Sequence, residues 1–189
     1  QLDKLKSYDL EKVRATGEHI RQSLLKMAIP GDIAKEIKRG WQRAGINYTY
    51  AVRSSATADY LPDASFAGQQ DTYLNINGEP GLLNAIRSCW VSLFTDRAIL
   101  YRIQNGYNHR DVQLSVVVQQ MVDSDAAGVL FTADPITGNR HILTIDASFG
   151  LGEALVSGIV SPDSYRVSKK NKTILDRQVA KKKIGVFPI

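Results

Sequence analysis

Cysteine is almost missing from this chain. Cys89 is the only one in 189 residues, which excludes an intramolecular disulfide framework and fits a reducing compartment. Its place beside Trp90 in an amphipathic stretch predicts core packing rather than catalysis. Long apolar runs are missing too. None approaches the roughly 20 residues of a membrane span, and no signal-peptide pattern stands at the start; the expected location is the cytoplasm, with no membrane partner. The three histidines (His19, His109, His141) are scattered, without the spacing of a metal cluster. There is no internal repeat and no low-complexity tract. There is also no initiator Met: the sequence opens on Gln1 and stops at Phe187-Pro188-Ile189 without an evident closing element. We therefore expect a fragment from inside a larger polypeptide.

The net charge of +5 raises the question of nucleic acid. The excess lies at the ends, in Lys4, Lys6, Lys12, Lys26 and Lys35, then Lys169, Lys170, Lys172 and Lys181 to Lys183. No aromatic-interleaved basic stripe accompanies it, so a solvated face is expected and no nucleic-acid partner. With 43% apolar and 23% charged residues, the composition is that of a globular domain with a single core or two small subdomains.

Hydrophobic periodicity predicts helices over Asp9 to Met27 (Asp9 as N-cap) and Asp32 to Ala44, the second closed near Gly45. Strands are expected at Asn47 to Arg53 and Asp71 to Ile76, then a helix pair over 80–92 and 95–104. After that the period changes. Val112 to Val122, Gly128 to Ala133 and His141 to Asp146 read as strands, a short helix covers Ala154 to Ser157, and Ser164 to Ser168 with Thr173 to Val179 form a terminal hairpin turning at Lys170-Asn171. Helices gathered early and strands gathered late predict an α+β fold.

The stretch VRSSATADYLPDASFAGQQDTYL (52–74) carries the chemistry. Arg53 is expected at the end of a strand, crowded by Ser54, Ser55 and Thr57. A planar guanidinium among hydroxyls and free backbone N–H groups suits phosphate oxygens, and Ala67-Gly68 offers an approach without a Cβ in the way. The same residues also build ordinary turns, and a lone surface Arg usually pairs with a carboxylate.

Taken whole, the segment resembles the nucleotide-binding domain of the phosphoenolpyruvate synthase and pyruvate phosphate dikinase group. So do CWVSLFTDRAILYRIQNGYNHRDVQLSVVVQQMV (89–122), GVLFTADPITGNR (128–140) and IDASFGLGEALVSGIVSPDSYRV (145–167). CWVSLFT, YRIQN, LFTADPITGNR and IDASFGLGEALVSG lie closer to the rifampicin phosphotransferases within that group. The resemblance implies an ATP-grasp fold, α+β, with ATP between two subdomains. Residues 1–46 would be a helical lead-in and 47–189 the nucleotide-binding core, with the N-terminal lobe and the C-terminal metal-binding segment missing. It implies dikinase chemistry with ATP and Mg²⁺: ATP is split to AMP, one phosphoryl is carried by a histidine on a separate domain in the same polypeptide, and another becomes inorganic phosphate. The acceptor would be a small-molecule hydroxyl, a rifamycin first and pyruvate second; a non-catalytic module of the same origin is the alternative of a different class.

By the same resemblance the nucleotide contacts are Arg53, which would also act in catalysis, Gly68, Thr72 and Gln119. Along VVVQQ the side chains of Gln119 and Gln120 should point to opposite faces, and an amide on the cleft side suits an adenine edge or a ribose hydroxyl. The family's metal-binding Glu and Gln, a further ATP-contacting Arg and its phosphate-gripping Lys have no counterpart here, so no metal ligand is assigned and the chain alone is expected to be inactive. Asp134, Asp146 and Asp163 are weighed as Mg²⁺ partners because the ion favours carboxylates beside nucleotide phosphates. Gly150-Leu151-Gly152-Glu153, a glycine turn before a helix, is read as cleft-lining at most.

Overall fold

A computed structural model describes residues 2, 5–56 and 71–187. Its contacts divide the chain into two units, Gln1–Met121 and Val122–Ile189. The fold is mixed α and β, with one antiparallel sheet in each unit.

The first unit holds helices α1 (Leu10–Lys26), α2 (Gly31–Ala44), α3 (Gly78–Ser92) and α4 (Asp96–Gln104), and strands β1 (Tyr50–Ala56), β2 (Thr72–Ile76) and β3 (Leu114–Gln120). The strands lie in the order β2-β1-β3, with β1 in the middle. Period-2 alternation gives the sheet two unlike faces. Val52, Tyr73, Ile76, Leu114 and Val116 meet Leu82, Ala85, Ile86 and Cys89 of α3, with Ile37 and Trp41 of α2 at the margin. Cys89 is fully buried in this cluster, and burial pushes its thiol up to about 11, in keeping with a packing role. Asp9 takes the expected position before α1 without a side-chain capping bond; it pairs instead with Lys12. Thr95 does cap α4, accepting from the Ala98 N–H. Where α1 crosses α4, Gly17 allows close approach, since a Cβ there would stand 3.0 Å from Ile99 Cδ1.

The second unit holds β4 (Ala126–Phe131), β5 (Ile142–Phe149), a one-turn helix α5 (Glu153–Val156), β6 (Asp163–Ser168) and β7 (Ile174–Gln178), the strands in the order β4-β5-β6-β7. The hairpin between β6 and β7 turns through Lys172 at φ 55°, and Ser168 N–H donates to Thr173 O. No described helix is long and apolar enough to cross a membrane.

The largest departure from the expected elements is β1. It starts at Tyr50 rather than Asn47 and runs through Arg53 to Ala56. Ser54 pairs with Val116 and Ser55 with Ser115, so these serines are strand residues and not the strand-ending loop. Their hydroxyls tolerate the pleat, and the long partner β3 carries the ladder past Arg53. β5 likewise runs on to Phe149, where Ala126 pairs with it.

Candidate functional site

Arg53 sits in the middle of the central strand, directly opposite Thr72 on one side and Val117 on the other. Directly paired residues of antiparallel strands project to one face, as do residues two apart. Gln119, which pairs with Ala51, therefore shares the face of Arg53, Thr72 and Val117, the one turned away from α3. Gln120 pairs with Tyr50 on the opposite face, so the expected split between the two glutamines is seen. Arg53, Thr72 and Gln119 are all exposed, and Gln119 lies one diagonal step from Arg53, about 7–8 Å in such a ladder. Gly68 and Thr57 lie outside the described residues. Arg53 forms no ion pair among the described residues.

The three aspartates weighed as metal partners are already engaged. Asp134 is 2% exposed. Its Oδ1 accepts from the N–H groups of Ile136 (2.9 Å) and Thr137 (3.0 Å). Its Oδ2 accepts from Arg166 Nε (2.8 Å) and pairs with Arg166 Nη2 (2.5 Å). Asp163 accepts from Ala180 N–H and Lys182 Nζ, and Asp146 from Ser164 Oγ. Thus Lys182, one of the lysines expected to be solvated, is spent on an internal pair. No group of three metal-ligating side chains forms among the described residues.

The Thr137 N–H above all, with Ile136 N–H and Arg166, holds the Asp134 carboxyl below its ordinary 3.8. A carboxylate whose pKa is lower in the folded state stabilises the fold above its unfolded value. That contribution is lost as pH falls through the folded value. Asp134→Asn should therefore flatten the acid limb of the second unit's stability below 3.8, measured as thermal melts from about pH 5 to pH 2. An unchanged acid slope would show that this pair carries none of it.

The Gly150-Leu151 turn is spent on structure. Gly150 N–H donates to Asp125 O (2.9 Å) and Leu151 N–H to Val186 O (2.7 Å). Neither amide is left for an anion, and α5 is four residues long. His109 is also structural: its Nδ1 accepts from Nε of Arg102 at 2.9 Å. Arg102 is itself 1% exposed, and burial pulls its guanidinium down to about 10. Sequence reading missed the Asp134–Arg166 pair, whose members stand 32 residues apart.

A guanidinium, a threonine hydroxyl and a strand amide on one exposed sheet face are donors of the kind that suit a polyphosphate and a base. Residues 1–188 match the family model described as pyruvate phosphate dikinase, AMP/ATP-binding domain, and the chain belongs to that family. It is 52% identical over 187 residues to rifampicin phosphotransferase of Bacillus subtilis (strain 168), covering 99% of this chain and 21% of that protein. It is 53% identical over 167 residues to rifampicin phosphotransferase of Streptomyces sviceus, covering 88% of this chain and 19% of that protein. To phosphoenolpyruvate synthase of Pyrococcus furiosus it is 47% identical over 184 residues, 95% of this chain and 22% of that protein. The chain spans about a fifth of the length of the curated relatives it matches.

Proposed function

We propose that this chain is the ATP-binding part of a dikinase-type phosphotransferase with an ATP-grasp fold, working within a longer polypeptide as its relatives do. In this reading 1–46 is a helical lead-in and 47–189 the nucleotide-binding core, a partial ATP-grasp domain. Arg53 and Thr72 hold the polyphosphate, Gly68 brings backbone N–H groups to it, and Gln119 meets the base or ribose. The observation that carries the reading is the shared exposed face of Arg53, Thr72 and Gln119, in a chain of this family.

ATP is split to AMP. One phosphoryl passes through a histidine on another domain of the polypeptide to a small-molecule hydroxyl, and the other is transferred to water and leaves as inorganic phosphate. Arg53 acts by donating to phosphate oxygens as charge gathers on the leaving bridge oxygen. Mg²⁺ accompanies ATP as counter-charge; Asp134 is buried and paired with Arg166, Asp163 is paired with Lys182, and no group of three metal-ligating side chains forms around them or Asp146 among the described residues. We assign no step to the ion here. The acceptor we favour is a rifamycin hydroxyl, because the rifampicin phosphotransferases match at 52% and 53% identity against 47% for the synthase. The cytoplasm, where ATP is plentiful, is the proposed location.

The test incubates the intact polypeptide with ATP and Mg²⁺ plus either rifampicin or pyruvate, then resolves nucleotides and products. AMP formed with rifampicin, with phosphate on the drug, is the expected result. AMP with pyruvate alone moves the acceptor to the synthase type and keeps the ATP site. No AMP with either overturns the proposal in favour of a non-catalytic module.

A further inference from the structure

β2 carries a flaw in its ladder. Tyr50 pairs with Ile76 and Val52 with Tyr73, so between these pairs Ala51 alone faces both Leu74 and Asn75. This is a β-bulge, and Asn75 takes the left-handed conformation within it at φ 55°. Such positions fall to glycine first and to asparagine next. Two of its polar groups are poorly satisfied. Its backbone N–H donates to the thioether of Met121, at 3.0 Å, and its side-chain Oδ1 is buried without a partner among the described residues. A thioether is a weak acceptor on a flexible stem, and an orphaned buried oxygen carries its full desolvation penalty.

The bulge sits in the row of the nucleotide face. Across the sheet that row reads Gln119, Ala51, then Leu74 and Asn75. Met121 N–H donates to Thr49 O, which extends the β1–β3 alternation and sets Met121 on the side of Gln119. The Asn75 N–H that meets its sulfur therefore turns toward the same side. Arg53 and Thr72 occupy the next row.

We propose that Asn75 is a base-specificity residue of this nucleotide site. The proposal rests on the reading of the Arg53 face as an ATP site. One residue offers a backbone donor and a side-chain acceptor side by side. The Watson–Crick edge of adenine offers the complement, N1 as acceptor and the 6-amino group as donor. When Met121 swings aside, the N–H meets N1 and Oδ1 accepts from the 6-amino group. A 6-oxopurine presents the reverse, an oxygen and an N1–H; it sets the backbone N–H against N1–H and forces the Asn75 amide to turn over to meet the oxygen. Glycine would suit the same backbone but has no side-chain acceptor to offer.

The test measures ATP and inosine triphosphate binding to the intact polypeptide by calorimetry, with Asn75→Gly, Asn75→Asp and Arg53→Ala beside the parent. Asn75→Gly suits the left-handed conformation and keeps the N–H, so its melting temperature should be unchanged or higher, while its preference for ATP over the inosine nucleotide falls about tenfold, the worth of one good hydrogen bond. Asn75→Asp retains acceptor oxygens and keeps the preference. An unaltered preference in Asn75→Gly, or a loss in Asn75→Asp equal to that in the glycine variant, overturns the assignment. Arg53→Ala should weaken both nucleotides equally. If it weakens neither, the ATP face itself is wrong and the assignment falls with it; if it weakens both and the Asn75 variants do nothing, only the assignment falls.

Discussion

Arg53→Ala is expected to lower AMP formation by the intact polypeptide about 10³-fold or more, the scale seen when an arginine that stabilises phosphoryl-transfer charge is removed. The Arg53 side chain is exposed and forms no ion pair among the described residues. Truncation therefore opens no core cavity and strands no ion-pair partner among the described residues, and stability should shift by no more than about 0.5 kcal/mol. Arg102 is the opposite case, with 1% exposure and bonds to His109 and the Leu93 carbonyl, where any loss of activity would be confounded with unfolding. Arg53→Lys sharpens the test. It keeps the charge but loses the planar fork that meets two phosphate oxygens at once, so activity should fall between the parent and alanine. Parent-like AMP formation by Arg53→Ala would remove the arginine from the mechanism.

What made this site legible was local. The strand lead-in before Arg53, the alternation that parts Gln119 from Gln120, and the core helix around Cys89 and Trp90 all follow from period 2 or period 3.6. What was not legible came from pairing at a distance. No local signal says that β3 lies beside β1, yet that pairing sets Gln119 next to Arg53's row and draws Ser54 and Ser55 into the strand. The bulge at Asn75 arises the same way: Asn75 stands in a run that reads as an ordinary strand, and only the register against Tyr50 and Val52 reveals the extra residue. Asp134 looked like a free carboxylate because Arg166 arrives from another strand. Long-range partners decide whether a polar residue is available for chemistry, and a single sequence does not display them.

The same distinction predicts how two glycines of the second unit will tolerate a methyl group. Gly138 and Gly150 both hold positive φ, 70° and 78°, so alanine at either costs about 1–2 kcal/mol for conformation alone. At Gly138 nothing lies within 4 Å of the added Cβ. At Gly150 it would stand 2.1 Å from the Val186 carbonyl oxygen and 2.9 Å from its carbon, and relieving such a clash adds about 1–3 kcal/mol. Gly150→Ala should thus destabilise the second unit by about 2–5 kcal/mol in denaturant titrations, with Gly138→Ala near the conformational term alone. The backbone atoms cannot yield like a side-chain tip, so the cheapest escape is for the segment at Val186 to leave its bridge with Gly150. In that event the Leu151 amide, which donates to Val186 O, loses its hydrogen-exchange protection while the β4–β7 amides keep theirs. Equal costs at the two glycines would mean that Val186 does not close on Gly150 in solution; the Leu151 amide would then be free, while the Gly150 amide keeps its bond to Asp125 O.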